Sequence, residues 1–139
     1  MGNVKIRHLS IENQIGELAG VAEEIDKIAH KWKIPQPTAM NINLAVEEAV
    51  SNIIYYAFND KVRHEIGISF SLENNRLTIS IIDDGLPFNP LEKDHPDITL
   101  TAEDRPVGGL GIYLILNIMD EVTYERLDNR NILTLQKTF

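Results

Sequence analysis

The sequence predicts an α+β two-layer sandwich, and three observations lead there. Period-2 alternation of apolar and polar residues recurs in pairs of stretches joined by short polar turns, so strands fold back as antiparallel hairpins. Three other segments carry apolar residues at the three-to-four spacing of helices. The resulting order, β-α-α-β-β-loop-α-β-β, builds one sheet and leaves the helices free to cover one of its faces.

The first strand rests on Val4, Ile6 and His8 alternating with Lys5 and Arg7, and is expected to end near Leu9. From Ile15 the period changes. Ile15, Leu18, Ala22, Ile25, Ala29 and Trp32 define an amphipathic helix with Glu17, Glu23, Glu24 and Lys27 on its polar side. Pro35 and Pro37 are expected to stop it, since each lacks an N–H and restricts the residue before it. A second helix is predicted from about Thr38 to Phe58, burying Ile42, Ala45, Val46, Ala49, Ile53 and Ala57. Ile66 to Leu72 and Leu77 to Ile81 then alternate around Glu73-Asn74-Asn75, which is a hairpin. Asp83 to Gly109 has neither period, carries four prolines, and far exceeds the ~4–6 residues of an ordinary connection. Leu110 to Met119 returns to helical spacing, and Val122–Arg126 with Asn131–Thr138 form a second hairpin around Leu127-Asp128-Asn129-Arg130.

With 139 residues, 43% of them hydrophobic, the chain is expected to be a single domain over 1–139. A charged fraction of 24% sets disorder aside, and no apolar run approaches the roughly 20 residues of a membrane span. Thirteen basic against twenty-one acidic residues give a net charge of −8, the opposite of a phosphate-backbone binder, so no direct nucleic-acid contact is expected. The absence of cysteine removes disulfides, thiolate metal sites and a cysteine nucleophile. The N-terminus lacks a secretory signal's apolar core, and Ile6 stands where myristoylation wants Ser or Thr, so a cytoplasmic location is expected.

Three short motifs can carry chemistry. Glu48 and Asn52 are four apart in the second helix and project beside Ala45 and Ala49, where a carboxylate and an amide can hold a divalent ion and its waters. A solvated acidic helix face is the plainer reading of that pair taken alone. Asp83-Asp84-Gly85 stands where a strand runs out, with Gly85 allowing a sharp turn, and a carboxylate there can accept from an exocyclic amine. Asp-Asp-Gly is also ordinary turn chemistry. Gly108-Gly109-Leu110-Gly111 opens a helix, where bare backbone N–H groups can approach a phosphate, but it matches neither the P-loop nor the dinucleotide fingerprint.

In this order and context the three motifs resemble the N, G1 and G2 boxes of the GHKL ATPase superfamily, which includes gyrase-type topoisomerases and histidine kinases. A second helix reading Glu-Ala-Val-Ser-Asn in a domain of this size is most similar to the bacterial anti-sigma factor serine kinases. The resemblance runs from the first strand to the last. It implies the GHKL (Bergerat) fold, with a mixed, mainly antiparallel sheet and helices on one face, and it implies ATP and Mg²⁺ as cofactors. By position, Glu48 matches the general base toward a partner's serine, and Asn52 the ligand of the metal bridging the ATP phosphates. Asp83 matches the acceptor of the adenine amine, with Gly85 beside it. Gly109 and Gly111 match the phosphate-contacting turn, and about Asn89 to Val107 matches a mobile lid. Pro87 replaces the second glycine usual in the G1 box, and Val107-Gly108 replace the arginine usual before the G2 glycines, leaving Arg105 as the nearest candidate.

The resemblance implies an ATP-binding anti-sigma factor with serine protein kinase activity. Its implied partners are a sigma factor and a small STAS-type anti-sigma factor antagonist. A nucleotide-gated binding module without phosphotransfer is the alternative, and Glu48 favours the kinase because binding alone needs no base. The catalytic half of a sensor histidine kinase would need an upstream helix pair, and the chain begins too soon for one. The first strand, if it lies at the sheet edge, is available for pairing in a homodimer. His8, His30, His64 and His95 show no metal-ligand spacing and read as background, and Trp32, Tyr55, Tyr56 and Phe58 as core or interface.

Overall fold

The computed structural model describes residues 3–92 and 109–139. In them the chain forms β1 (Lys5–Glu12), a 3-10 turn at Ile15–Glu17, α1 (Leu18–Trp32), α2 (Gln36–Tyr56), β2 (Glu65–Glu73) and β3 (Arg76–Asp83). A second 3-10 turn at Pro90–Glu92 precedes α3 (Gly109–Ile118), β4 (Glu121–Leu127) and β5 (Arg130–Thr138). The strands make one sheet in the order β1-β2-β3-β5-β4, and all four pairings are antiparallel. This is the expected two-layer α+β sandwich, with a sheet that is antiparallel throughout rather than mixed, since each strand pairing here is a hairpin or an antiparallel return. Both hairpins turn on two left-handed residues, Asn74 and Asn75 (φ 50° and 64°) and Asp128 and Asn129 (φ 52° and 62°). That geometry matches the twist of paired strands, and Asn and Asp tolerate it.

One sheet face is apolar: Ile66, Ile68, Phe70 and Leu72 of β2, Leu77, Ile79 and Ile81 of β3, and Leu133 and Leu135 of β5 are all buried. They share a core with Ile25 and Ile28 of α1, Ile42, Val46, Val50 and Ile53 of α2, and Ile112 and Ile115 of α3. The other face carries half-buried small polar residues, Ser69, Ser71, Thr78, Ser80 and Thr134. α2 lies between α1 and α3 and contacts both.

Three local expectations change. In β1 the pairing of Leu9 with Ile68 and Ile11 with Ile66 turns the odd-numbered residues toward the helices. Val4 and Ile6 are therefore exposed, at 49% and 61%, and His8 lies on the open face with its ring nitrogen 2.7 Å from Ser69 Oγ. Alternation defines two faces without saying which is covered, and at an edge strand the register decides. In α1 the buried stripe is Val21, Ile25, Ile28, Ala29 and Trp32, whereas Ile15 is exposed in the preceding 3-10 turn and Ala22 is only partly covered. α1 ends at left-handed Lys33 (φ 58°), whose N–H reaches the carbonyls of Ala29 and His30. Pro37 does not stop it. That residue sits in the first turn of α2, where a helix has no use for the missing N–H. α2 thus begins at Gln36 and ends at Tyr56, two residues before the expected limit on each side.

Candidate functional site

Glu48 and Asn52 stand one turn apart on α2, and Asn52 is 3% exposed while Glu48 is half-buried. What faces them is the first turn of α3. A Cβ placed on Gly111 would overlap Glu48 Oε2 and come within 3.4 Å of Asn52 Nδ2. Glycine at 111 thus lets the backbone lie against both polar side chains. Burial pushes the Glu48 carboxyl up from its ordinary value, and the charge of Glu47 adds to the effect. Ser51 Oγ donates to the Glu48 backbone carbonyl at 3.1 Å, not to its carboxylate. Gly109 is the first residue of α3. Arg105 and all of the expected lid beyond Glu92 lie outside the described residues.

The second cluster is a row across the sheet end. Register places Ile11, Ile66, Asp83, Asn131 and Arg126 side by side on β1, β2, β3, β5 and β4, on the helix-covered face. Asp83, 2% exposed, accepts at Oδ1 from the Gly85 N–H at 2.8 Å and from Asn131 Nδ2 at 2.9 Å. Its Oδ2 is buried and has no hydrogen-bond partner among the described residues. Burial raises the Asp83 carboxyl above its ordinary value, and the hydrogen bonds from Asn131 and Gly85 oppose that rise. A buried acceptor without a donor is rare enough to need an explanation, and a ligand's N–H supplies one.

Asn131 uses its whole side chain. Besides Asp83, its Nδ2 donates to the Leu86 carbonyl at 2.8 Å, and its Oδ1 accepts from the Phe88 N–H and the Tyr124 hydroxyl. Arg126 Nη1 donates to the Gly85 carbonyl at 2.7 Å, and the Leu86 N–H donates to the Ala57 carbonyl at the end of α2, also at 2.7 Å. A Cβ on Gly85 would overlap that same Ala57 oxygen, so the turn closes on α2 only because position 85 is bare. Phe88 stacks on Tyr56 with ring centres 5.7 Å apart.

The two clusters therefore sit along one helix. Asn52 to Ala57 is five residues, about 7.5 Å at the helical rise, and Glu48 is roughly a turn further on. A ligand touching both is elongated, with an amine donor at the Asp83 end and a group that tolerates backbone N–H and a carboxylate-held cation at the other. Among the described residues no group of three or more His, Asp or Glu could hold a metal. A divalent ion at Asn52 would take waters and ligand oxygens such as those of phosphates as its other ligands, which suits magnesium's habit. Asn131, Tyr124 and Arg126 were not expected from sequence, because what marks them is their register beside Asp83. His64, read as background, lies between Asp60 and Asp84.

Comparison with known proteins gives the family. Serine-protein kinase RsbW of Bacillus anthracis is 40% identical over 99 residues, covering 68% of this chain and 61% of that protein. RsbW of Bacillus cereus strain Q1 is 38% identical over the same span. The matched region is thus about three fifths of the length of these relatives. The crystal structure of the RsbU and RsbW domains of Rv1364c from Mycobacterium tuberculosis superposes with a TM-score of 0.70 at 14% identity, covering 96% of this chain and 32% of that one, a likeness of fold. No helix among the described residues is long and apolar enough to cross a membrane. Residues 11–137, from the end of β1 almost to the last residue of β5, match the family described as histidine kinase-like ATPase domain, and the chain belongs to that family.

Proposed function

We propose that the chain, as one domain over 1–139, is an ATP-dependent serine protein kinase that acts on a small STAS-type antagonist protein and also binds a sigma factor in the cytoplasm. The observation that carries this reading is the buried, unpartnered Oδ2 of Asp83 at one end of α2, with Glu48 and Asn52 against bare Gly111 at the other. An adenine amine fits the first and a chain of phosphates the second. Resemblance to the RsbW kinases supports the protein substrate.

In this reading Asp83 Oδ2 accepts from the base, and the α3 backbone at Gly109 and Gly111 faces the phosphates. Asn52 holds Mg²⁺, which neutralises phosphate charge when bound. Arg105 is the candidate for further neutralisation. Glu48 takes the proton from the serine hydroxyl as that oxygen bonds to the terminal phosphorus and the bond to the bridging oxygen breaks, releasing ADP. Its raised carboxyl is a better base than an exposed glutamate, since basicity grows with the conjugate acid's pKa.

The test is incubation of the protein with labelled ATP, Mg²⁺ and candidate antagonists. Label appears on an antagonist serine if the reading holds. Glu48→Gln keeps the helix and binding while transfer falls by about 10²–10⁴, the usual weight of a general base. Nucleotide binding with no transfer to any antagonist refutes the kinase and leaves a nucleotide-gated module. Transfer by Glu48→Gln at the wild-type rate removes Glu48 as the base.

A further inference from the structure

A third polar cluster stands beside the turn that follows β3. His64, the residue before β2, is fixed by its backbone. Its N–H donates to Asn13 Oδ1 at 2.9 Å, and its carbonyl accepts from the Asn13 N–H at 2.9 Å. The ring lies nearly flat on Phe58, with centres 4.6 Å apart and planes at 21°. Nδ1 is 3.0 Å from Asp84 Oδ1, and Nε2 is 2.9 and 3.0 Å from the two oxygens of Asp60. A neutral imidazole carries one N–H, so only the doubly protonated ring donates to both carboxylates. The other charged groups around it are its sequence neighbours Arg63 and Glu65, Glu12 paired with Arg63 at 3.7 Å, Asp83 at the end of β3, and Arg126 and Arg130 at the ends of β4 and β5. None of them comes as close as Asp60 and Asp84.

We propose that His64, as an imidazolium, is a positioning residue that pins the turn after β3 to the segment leaving α2, and that its charge sets the affinity of the nucleotide site. The proposal rests on the nucleotide reading above. Asp83, Gly85, Leu86 and Phe88 each have hydrogen bonds to α2, β4, β5 or within the turn; for the Asp84 side chain the contact is His64. Asp84 lies between the two residues that shape the base pocket, Asp83 and Gly85. Loss of one proton leaves a single N–H, and held on Nε2, which faces both Asp60 oxygens, it sets the Nδ1 lone pair against Asp84; that frees Asp84 and lowers the share of molecules with the turn in place, which weakens apparent affinity by that share. The hydrogen bond to Asp60 is the chief influence raising the His64 proton's affinity above its ordinary value of 6.5, with burial acting against it. A raised value means that the pin is whole below about pH 6.5 and is lost as pH rises through the higher folded value.

Two measurements test this. Calorimetry with ADP between about pH 6 and about pH 9 should show affinity falling by about two- to fivefold with rising pH, the scale of a partly exposed ion pair. His64→Gln and Asp84→Ala should each give a flat profile at the weak limit, and Asp84→Ala, at an exposed side chain, removes the acceptor without touching the anchored ring. Nuclear magnetic resonance titration of His64 supplies the second readout. By reciprocity its pKa should rise when ADP is bound, and the amide signals of Asp84 to Leu86 should follow its titration. Identical pKa values with and without ADP, or superimposable pH profiles for wild type and Asp84→Ala, overturn the proposal. If wild type binds no nucleotide at any pH, the nucleotide reading fails and the amide signals alone judge the pin: signals that ignore the His64 titration refute it.

Discussion

Replacing Asp83 by asparagine separates what this residue does for the fold from what it does for a ligand. Oδ1 already accepts from the Gly85 N–H and from Asn131 Nδ2, so an asparagine at 83 must place its carbonyl oxygen there to keep both donors satisfied. Its amide nitrogen then takes the place of Oδ2, the buried atom without a partner, and an acceptor becomes a donor. The unliganded protein should lose nothing. Burial holds the Asp83 carboxyl above its ordinary value, so the charged form costs stability at neutral pH, and the amide escapes that cost. Nucleotide binding should suffer, since a hydrogen bond to a charged group contributes about 1.5–3 kcal/mol, or about ten- to hundredfold in affinity. ATP and ADP should weaken alike because the contact is at the base end. Calorimetry with both nucleotides, beside a thermal melt of each protein, measures the two effects. Wild-type affinity in Asp83→Asn refutes the base contact, and a large drop in melting temperature refutes the geometry assigned to Oδ1.

Two further substitutions probe the same pocket. Gly111→Ala sets a methyl group against Glu48 Oε2, the far end of a flexible side chain. The helix should gain up to about 1 kcal/mol from the better helix former, while the displaced carboxylate slows transfer more than it weakens nucleotide binding; melting temperature and transfer rate report each. Asn131→Ala removes four hydrogen bonds from a residue 4% exposed, taking a partner from the Leu86 carbonyl, the Phe88 N–H, the Tyr124 hydroxyl and Asp83 Oδ1, which keeps only the Gly85 N–H. The expected loss is about 1–3 kcal/mol in chemical denaturation, with a fall in ADP affinity as Asp83 loses its alignment.

Much of the fold was legible because its signals are local. Asn74-Asn75 and Asp128-Asn129 fix their hairpins through backbone conformations that few residues tolerate, and Ile66 to Ile81 alternate cleanly. All six residues expected on the buried face of α2, Ile42, Ala45, Val46, Ala49, Ile53 and Ala57, are buried, and the stripe is wider than the pattern predicts, since Ala39, Val50 and Asn52 are covered as well by a helix packed between two others and a sheet. β1 and the start of α1 were misread for a shared reason. Both lie at the margin of the core, where a weak pattern such as Val4, Ile6 and His8 carries no information about which side is covered. At the site, Glu48 with Asn52 and Asp83 with Gly85 were visible as short motifs, and the structure adds that each pair meets a bare glycine or a helix end.

What could not be read is the set of residues that supports those motifs. Asn131 is 48 positions from Asp83, and it becomes a neighbour because β5, not β4, pairs with β3. Chain order favours the opposite: β4 comes first and would be the simpler neighbour, placing a different row of side chains beside the carboxylate. Had it done so, the Asn131 hydrogen bond to Asp83 Oδ1 would have no source, and the Gly85 N–H alone would aim the carboxylate. His64 depends on two separate accidents of register, the pairing that anchors it to Asn13 and the end point of β3 that brings Asp84 to its ring. The residues that contact a ligand can announce themselves by type and spacing, because the chemistry demands them. Those that hold the contacting groups in place are set by which strands lie side by side, and they become readable only once the sheet order is known.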